Sequence, residues 1–390
     1  MVLFGLDVLL KEHLNVIKNK KVGIVAHPAS INSQYIHIYD LLKKNGATIT
    51  ALFGPEHGFN GVAQDMESVH NDITKIDKIP LYSLYGSSFE TLSPSEETVS
   101  QLDLLIIDLA DVGSRYYTFI WTAVLCLDVC IKTDTPLMIL DRPNPLNGIS
   151  VEGAPQKEGF LSFVGLKQIA VRHGLTLGEI VLMNAKEKNA LKLVTVIKTE
   201  GWKREMFYDD THLPWVPPSP NMPALDTAII YPGLCLLEGT EFSEGRGTTT
   251  PFEMFGAPGV DSVTLCKTLN SQNLLGVVFR PVSFKPMFQK HKEEICTGAA
   301  IHITDRNSLL PYKTGMAIIW ALYTTSNNIF KWRHKPYEFV KEIPAIDLLT
   351  GSDFFRKSIE DGAHFNDIYS INEKETTLEI NRLREYRIYS

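Results

Sequence analysis

A carboxylate and an imidazole stand side by side in Gly54-Pro55-Glu56-His57-Gly58-Phe59, directly after an apolar run at 47–53 that has the composition of a buried strand. Such a pair is the equipment of general acid–base chemistry. The glycines permit backbone angles that other residues avoid, and Pro55 fixes φ and cannot extend a sheet ladder, so the pair would be held on a stiff turn. A single Glu-His pair can equally cap a turn and pack, so the residues that accompany it decide its weight. Other polar groups follow other apolar runs: His27 after Lys21–Ala26, Asp111 with Arg115 and Tyr116 after 102–109, and Asp141, Arg142 and Asn144 after 136–140. A further concentration lies at 231–251, where Glu238, Glu241, Glu244 and Arg246 stand among glycines in a stretch that reads as a polar binding loop.

The elements that must position these groups are legible in the hydrophobic pattern. Strand-like runs at Lys21–Ala26, 47–53, 81–84, 102–109, 136–140 and 191–199 alternate with helical spacing at 35–45, 93–101, 119–132 and 176–186. Apolar strands alternating with helices imply a parallel sheet covered on both faces, so the expected fold is α/β, a Rossmann-like, doubly wound, mainly parallel sheet. Ligands bind outside the carboxyl ends of such strands, which is where the polar residues fall. A chain of 390 residues exceeds what one core usually fills. The expected division is a Rossmann-like catalytic domain at 1–225 and a smaller α+β domain at 226–390 that contributes to the cleft. The proline-rich segment 215–223 reads as a stiff linker between them. The second domain is expected to hold helices at 261–269 and 315–323 and strands at Val277–Phe284 and 299–304.

Composition excludes several classes. A net charge of −7 with 44% hydrophobic residues argues for a soluble protein and against a nucleic-acid binder, which needs a basic surface. No run approaches the roughly 20 apolar residues of a membrane span. Residues 1–14 carry Asp7 and Glu12 and do not read as a signal peptide, so the expected location is cytoplasmic; a chain separated from its leader would read alike, which keeps a periplasmic or secreted location open. The five cysteines, at 126, 130, 235, 266 and 296, form no CxxC pair and read as buried thiols. The turn after the first strand, His27-Pro28-Ala29-Ser30, has no glycines to admit a pyrophosphate, and no Walker motif follows. A metal held by His27, His57 and a carboxylate would lack any local ligand spacing, so neither metal nor cofactor is expected.

The segments GPEHGF, DVGSRYYTFIWT, LDRPNPLNG with VEG after it, RHGLTLGE, PSPNMP and LEGTEFSEGRGTTTPFE, in this order, resemble the NamZ-type exo-β-N-acetylmuramidase family, formerly a domain of unknown function. The resemblance extends over nearly the whole chain, to FRPVSFKP, IHITD and IDLLTG. It implies a glycosidase that removes terminal N-acetylmuramic acid (MurNAc) from the non-reducing end of peptidoglycan-derived MurNAc-GlcNAc saccharides, with its site in the cleft between the domains. Glycoside hydrolysis commonly needs two carboxyl groups. Glu56 is the first choice; its partner would come from Asp111, Asp141, Glu152, Glu238 or Glu244, with Glu244 preferred because its loop should face the cleft. His57, Tyr116 and Asn144 would contact hydroxyls or tune proton affinity, and the sugar's own 2-acetamido group could replace the nucleophile. The lactyl carboxylate of MurNAc calls for an arginine fork, available from Arg115, Arg142, Arg172 or Arg246, with Arg115 preferred. Glu241 stands where the family pattern has Asn, adding a charge. An amidase or esterase of wall fragments, disfavoured by the lack of a G-x-S-x-G elbow, and a non-catalytic sugar-binding module are the alternative readings.

Overall fold

The computed structural model describes residues 1–64, 75–326 and 328–390. In the first half, β1 (Lys21–Ala26), β2 (Thr48–Gly54), β3 (Lys75–Ile76), β4 (Ile79–Ser83), β5 (Leu104–Asp108), β6 (Leu137–Leu140) and β7 (Val194–Ile197) form a seven-stranded sheet ordered β3-β4-β2-β1-β5-β6-β7. Every pairing is parallel except that of β3 with β4, so the sheet is mainly parallel, as expected. β5 and β6 are buried at every position, which is why they read as unbroken apolar runs. From β1 the chain winds outward through β2 to β4, then returns to place β5 on the other side of β1. The switch point therefore lies between β1 and β5, and His27, Glu56 and Asp111 all follow carboxyl ends of central strands.

Helix Phe119–Thr133 is apolar on nearly every face, covers the sheet, and ends at Asp134 in the left-handed conformation (φ 51°), one residue before Thr135-Pro136 leads into β6. Helix Leu177–Glu187 starts at a capping box in which the Thr176 hydroxyl accepts from Glu179 N and the Glu179 carboxylate accepts from Thr176 N.

The smaller domain holds a second, antiparallel sheet of β8 (Met254–Ala257), β9 (Val277–Phe284) and β10 (Cys296–Ile303), ordered β8-β10-β9. Two expectations need correction. The polar loop expected from 231 begins instead as helix Leu225–Leu234 and a 3₁₀ turn, Cys235–Gly239, because 231–237 is apolar and buried; only the part beyond is irregular. That helix crosses helix Pro311–Thr325 through facing glycines: a Cβ on Gly233 would lie 1.9 Å from Pro311 O, and one on Gly315 2.1 Å from Gly233 O. The segment 215–223 is more than a spacer, since Pro218 O accepts from His27 Nδ1 at 3.3 Å and Trp215 packs edge-on against Tyr208.

One apolar cluster runs from Val25 through Tyr231 to Leu383. The C-terminus returns to the first sheet: Tyr389 Oη donates to Asp141 at 2.6 Å and Ile388 N to Glu179 at 2.7 Å. Among the described residues, no helix is long and apolar enough to cross a membrane.

Candidate active site

The turn after β2 is as tight as its glycines suggested. A Cβ on Gly54 would lie 2.4 Å from Phe59 N, and Gly58 N bonds back to Pro55 O at 2.9 Å. His57 takes a left-handed φ of 68°, and its ring is fixed by a 2.9 Å bond between Nδ1 and Ala63 O. A carbonyl can only accept, so Nδ1 carries a proton. Glu56 is buried, and its Oε2 accepts a 2.5 Å hydrogen bond from the hydroxyl of Thr118, the residue before helix Phe119–Thr133. The turn after β2 is thereby joined to the start of that helix.

Glu56, His57 and Thr118 line a small pocket whose other wall comes from the second half of the chain: Glu238, Arg246 and Glu338. Ser219 and Asn221 of the proline-rich segment close one side. Arg246 Nη1 lies 2.7 Å from Glu238 Oε1 and 3.0 Å from Glu244 Oε1, and its guanidinium stacks over the Phe252 ring at 4.7 Å. Tyr337 Oη donates to Glu238 Oε2 at 2.7 Å, and Tyr85 Oη reaches the Glu338 carboxylate at 3.3 Å. Thus Glu238 has a cation beside it, whereas Glu56 accepts from a neutral hydroxyl.

The model of the N-terminal part of exo-β-N-acetylmuramidase NamZ matches residues 22–226, and that of its C-terminal part matches residues 229–389. The chain belongs to the NamZ family. Peptidoglycan β-N-acetylmuramidase NamZ of Bacillus subtilis (strain 168) is 39% identical to it over 386 residues, which are 99% of this chain and 91% of that protein. Crystal structures of two DUF1343 family proteins from Bacteroides fragilis NCTC 9343 match 100% of the chain and 99% of their own lengths, with TM-scores of 0.87 and 0.77 at 29% and 28% identity.

Of the residues expected to form the site in this NamZ-family chain, the pocket brings together Glu56, His57, Tyr116, Glu238 and Arg246. The others have different surroundings. Arg115, the preferred clamp for the lactyl group, is fully buried and donates to the carbonyls of Ala154 (3.0 Å), Ile169 (2.9 Å) and Leu349 (2.5 Å), so its fork is consumed by backbone. Arg142 forms a buried pair with Asp108 at 2.5 Å, and Arg172 one with Glu152 at 3.0 Å. Neither lines the pocket, because each is drawn to an acid inside the first domain. Asp141 accepts from Thr176, Gly178 and Tyr389 and ties the C-terminus to the sheet; burial raises its carboxyl to about 6 against the pull of those bonds. Asn144 bridges Leu175 O and Leu146 N within its loop. Asp111 caps Gly113 N at 2.8 Å and lies 3.4 Å from His173. Glu241 faces a separate groove with Trp332 and His334, so its charge is not beside Glu56. His27 spends both ring nitrogens on Ala110 N and Pro218 O, and burial, assisted by Arg142, holds its pKa well below the ordinary value.

Glu244, preferred as the second catalytic group, stands behind Arg246 and also binds Lys290 at 2.9 Å. Burial alone would raise its carboxyl, but Lys290 and Arg246 outweigh it and hold the group at about 2. An acid that stays ionised and saturated by two cations is suited to fixing Arg246, not to exchanging protons. Its pKa is depressed from 4.5, so its contribution to stability is complete above pH 4.5 and is lost as the pH falls through 2. A shift of that size corresponds to about 3 kcal/mol. Glu244→Gln is therefore expected to lower the urea midpoint markedly at pH 7, with the gap to the parent closing as the pH falls from about 4.5 toward 2. A constant gap across that range would show that the charge of Glu244 is not what stabilises the loop.

Sequence reasoning missed Thr118, Tyr337, Glu338 and Tyr85. Thr118 lies inside one of the family motifs, DVGSRYYTFIWT, and could have been found there. Ser219 and Asn221 lie inside PSPNMP, which the proline content made look like mere linker. Glu338 and Tyr85 carry no local signal, since only the docking of the two halves brings them together.

Proposed function

We infer that the protein is an exo-β-N-acetylmuramidase that removes the terminal MurNAc from the non-reducing end of peptidoglycan fragments, MurNAc-GlcNAc saccharides among them, in wall turnover or recycling. The observation that carries this reading is the pairing, in one pocket, of hydroxyl-bound Glu56 with Glu238 held beside Arg246, in a chain of the NamZ family. In this reading the catalytic pocket lies between the domains 1–225 and 226–390. Glu56 gives a proton to the departing glycosidic oxygen, and Glu238, beside the guanidinium, supports the positive charge that develops at the anomeric carbon or activates the water that attacks it. His57 offers Nε2 to a sugar hydroxyl beside Glu56.

The test is release of MurNAc from 4-nitrophenyl β-MurNAc and from MurNAc-GlcNAc, with the corresponding GlcNAc glycosides as controls. Release of free MurNAc with little action on the GlcNAc glycosides is the expected outcome. Cleavage of an amide or ester in muropeptides without release of sugar would replace this reading by a different hydrolase, and tight binding without turnover would replace it by a binding module.

A further inference from the structure

Glu338 enters the pocket at the tip of a two-residue hairpin. Tyr337 and Val340 exchange both backbone hydrogen bonds at 2.9 Å, and between them Glu338 and Phe339 both have positive φ, 44° and 69°. Two left-handed residues in succession make a type I′ turn, the turn that selects Asn-Gly because other side chains are strained there. Here both positions carry large side chains. Phe339 accounts for itself by packing against Tyr85 (centroids 5.9 Å apart) and Phe163 (6.3 Å), which fixes the tip against the first domain. Glu338 is 4% exposed, lines the same pocket as Glu56 and Glu238, and meets the Tyr85 hydroxyl at 3.3 Å. Backbone strain of this kind is retained mostly where a side chain must be held for function.

We propose that Glu338 is a substrate-binding carboxylate that accepts a hydrogen bond from the C4 hydroxyl of the terminal MurNAc residue. The proposal rests on the muramidase reading above. An ionised carboxylate has lone pairs and no proton, so it attracts a hydroxyl and repels an ether oxygen. In a β-1,4-linked glycan every internal residue carries an ether oxygen at C4, and only the non-reducing terminus carries a hydroxyl there. A fixed carboxylate at this point therefore both binds the chain end and rejects the chain interior, which is the discrimination an exo-acting enzyme requires. The C6 hydroxyl would not serve, since terminal and internal residues share it.

The experiment compares the parent protein and Glu338→Asn on 4-nitrophenyl β-MurNAc and on its 4-deoxy and 6-deoxy analogues, together with calorimetric binding of free MurNAc and 4-deoxy-MurNAc and thermal melting of both proteins. Asn suits the left-handed turn but is neutral and shorter. The parent is expected to lose about 10- to 100-fold in kcat/KM on removal of the C4 hydroxyl, the range for a hydrogen bond to a charged group. Glu338→Asn is expected to lose a similar factor on the full substrate, to treat the full and 4-deoxy substrates nearly alike, and to melt at or above the parent temperature because strain is relieved. The proposal is overturned if the parent tolerates the 4-deoxy substrate, if Glu338→Asn keeps the full preference for the C4 hydroxyl, if the coupling appears with the 6-deoxy analogue instead, or if the variant melts lower with unchanged kcat/KM. Absence of MurNAc release by the parent would defeat the functional reading separately, and the calorimetric comparison would still decide the role of Glu338.

Discussion

Replacing Glu56 by Gln is expected to lower kcat on a MurNAc glycoside by on the order of a hundredfold or more, the contribution of a positioned general acid, while KM and the melting temperature change little. The substitution keeps volume and shape. The Thr118 hydroxyl, 2.5 Å from Oε2, can still donate to the amide oxygen, and the turn is held by Gly58 N on Pro55 O and by the close pass of Gly54 against Phe59, none of which involves the carboxylate. Only ionisation and proton donation are removed. Single-turnover rates on 4-nitrophenyl β-MurNAc, with a circular-dichroism melt on the same sample, measure both arms. Near-normal turnover in a folded protein would transfer the acid role to Glu238 or Glu338, the other carboxylates lining the pocket.

Arg115 should behave in the opposite way. Its guanidinium joins the carbonyls of Ala154 and Ile169 in the first half of the chain to that of Leu349 in the second, with no exposure to solvent. Arg115→Met leaves three buried carbonyls without their donors and is expected to cost about 3–5 kcal/mol of stability, each orphaned acceptor contributing about 1–3 kcal/mol before relaxation. Arg115→Lys should recover only a fraction, because one compact ammonium cannot reproduce the planar fork. Whatever activity survives should fall equally on MurNAc and GlcNAc glycosides, since the residue stands behind the pocket wall. Urea unfolding and the ratio of kcat/KM on the two sugars check the two halves of this expectation. A selective loss on MurNAc in a protein of parental stability would return Arg115 to the role of anion clamp.

The contrast between these residues shows what kinds of information were legible. The turn that carries Glu56 was legible because its surroundings are local: a strand, a proline and two glycines within six positions define a turn wherever they occur. The sheet was found because burial on both faces writes itself into consecutive residues, as in the fully buried β5. The surroundings of Arg115 were not legible, because a flanking Gly113 and Ser114 specify freedom of the backbone but not the direction of a long side chain. Its partners lie 39, 54 and 234 positions away. The partners of Arg142 and Arg172 were hidden for the same reason, each being paired with an acid 34 or 20 residues distant.

By itself, then, the amino-acid sequence determined a mainly parallel sheet, the strand ends at which polar residues collect, the stiff Glu56-His57 turn and, through its ordered motifs, the family. Periodicity, glycine and proline act over a few residues, and their effects survive without knowledge of the fold. The tertiary structure alone decided which charges neutralise one another. It placed Glu244 between Lys290 and Arg246, brought Glu238 and Glu338 into the pocket that Glu56 lines, and turned a proline-rich segment into part of its wall. Electrostatic roles depend on distances of about 3–4 Å between groups remote in the chain, and those distances exist only after the two halves have packed.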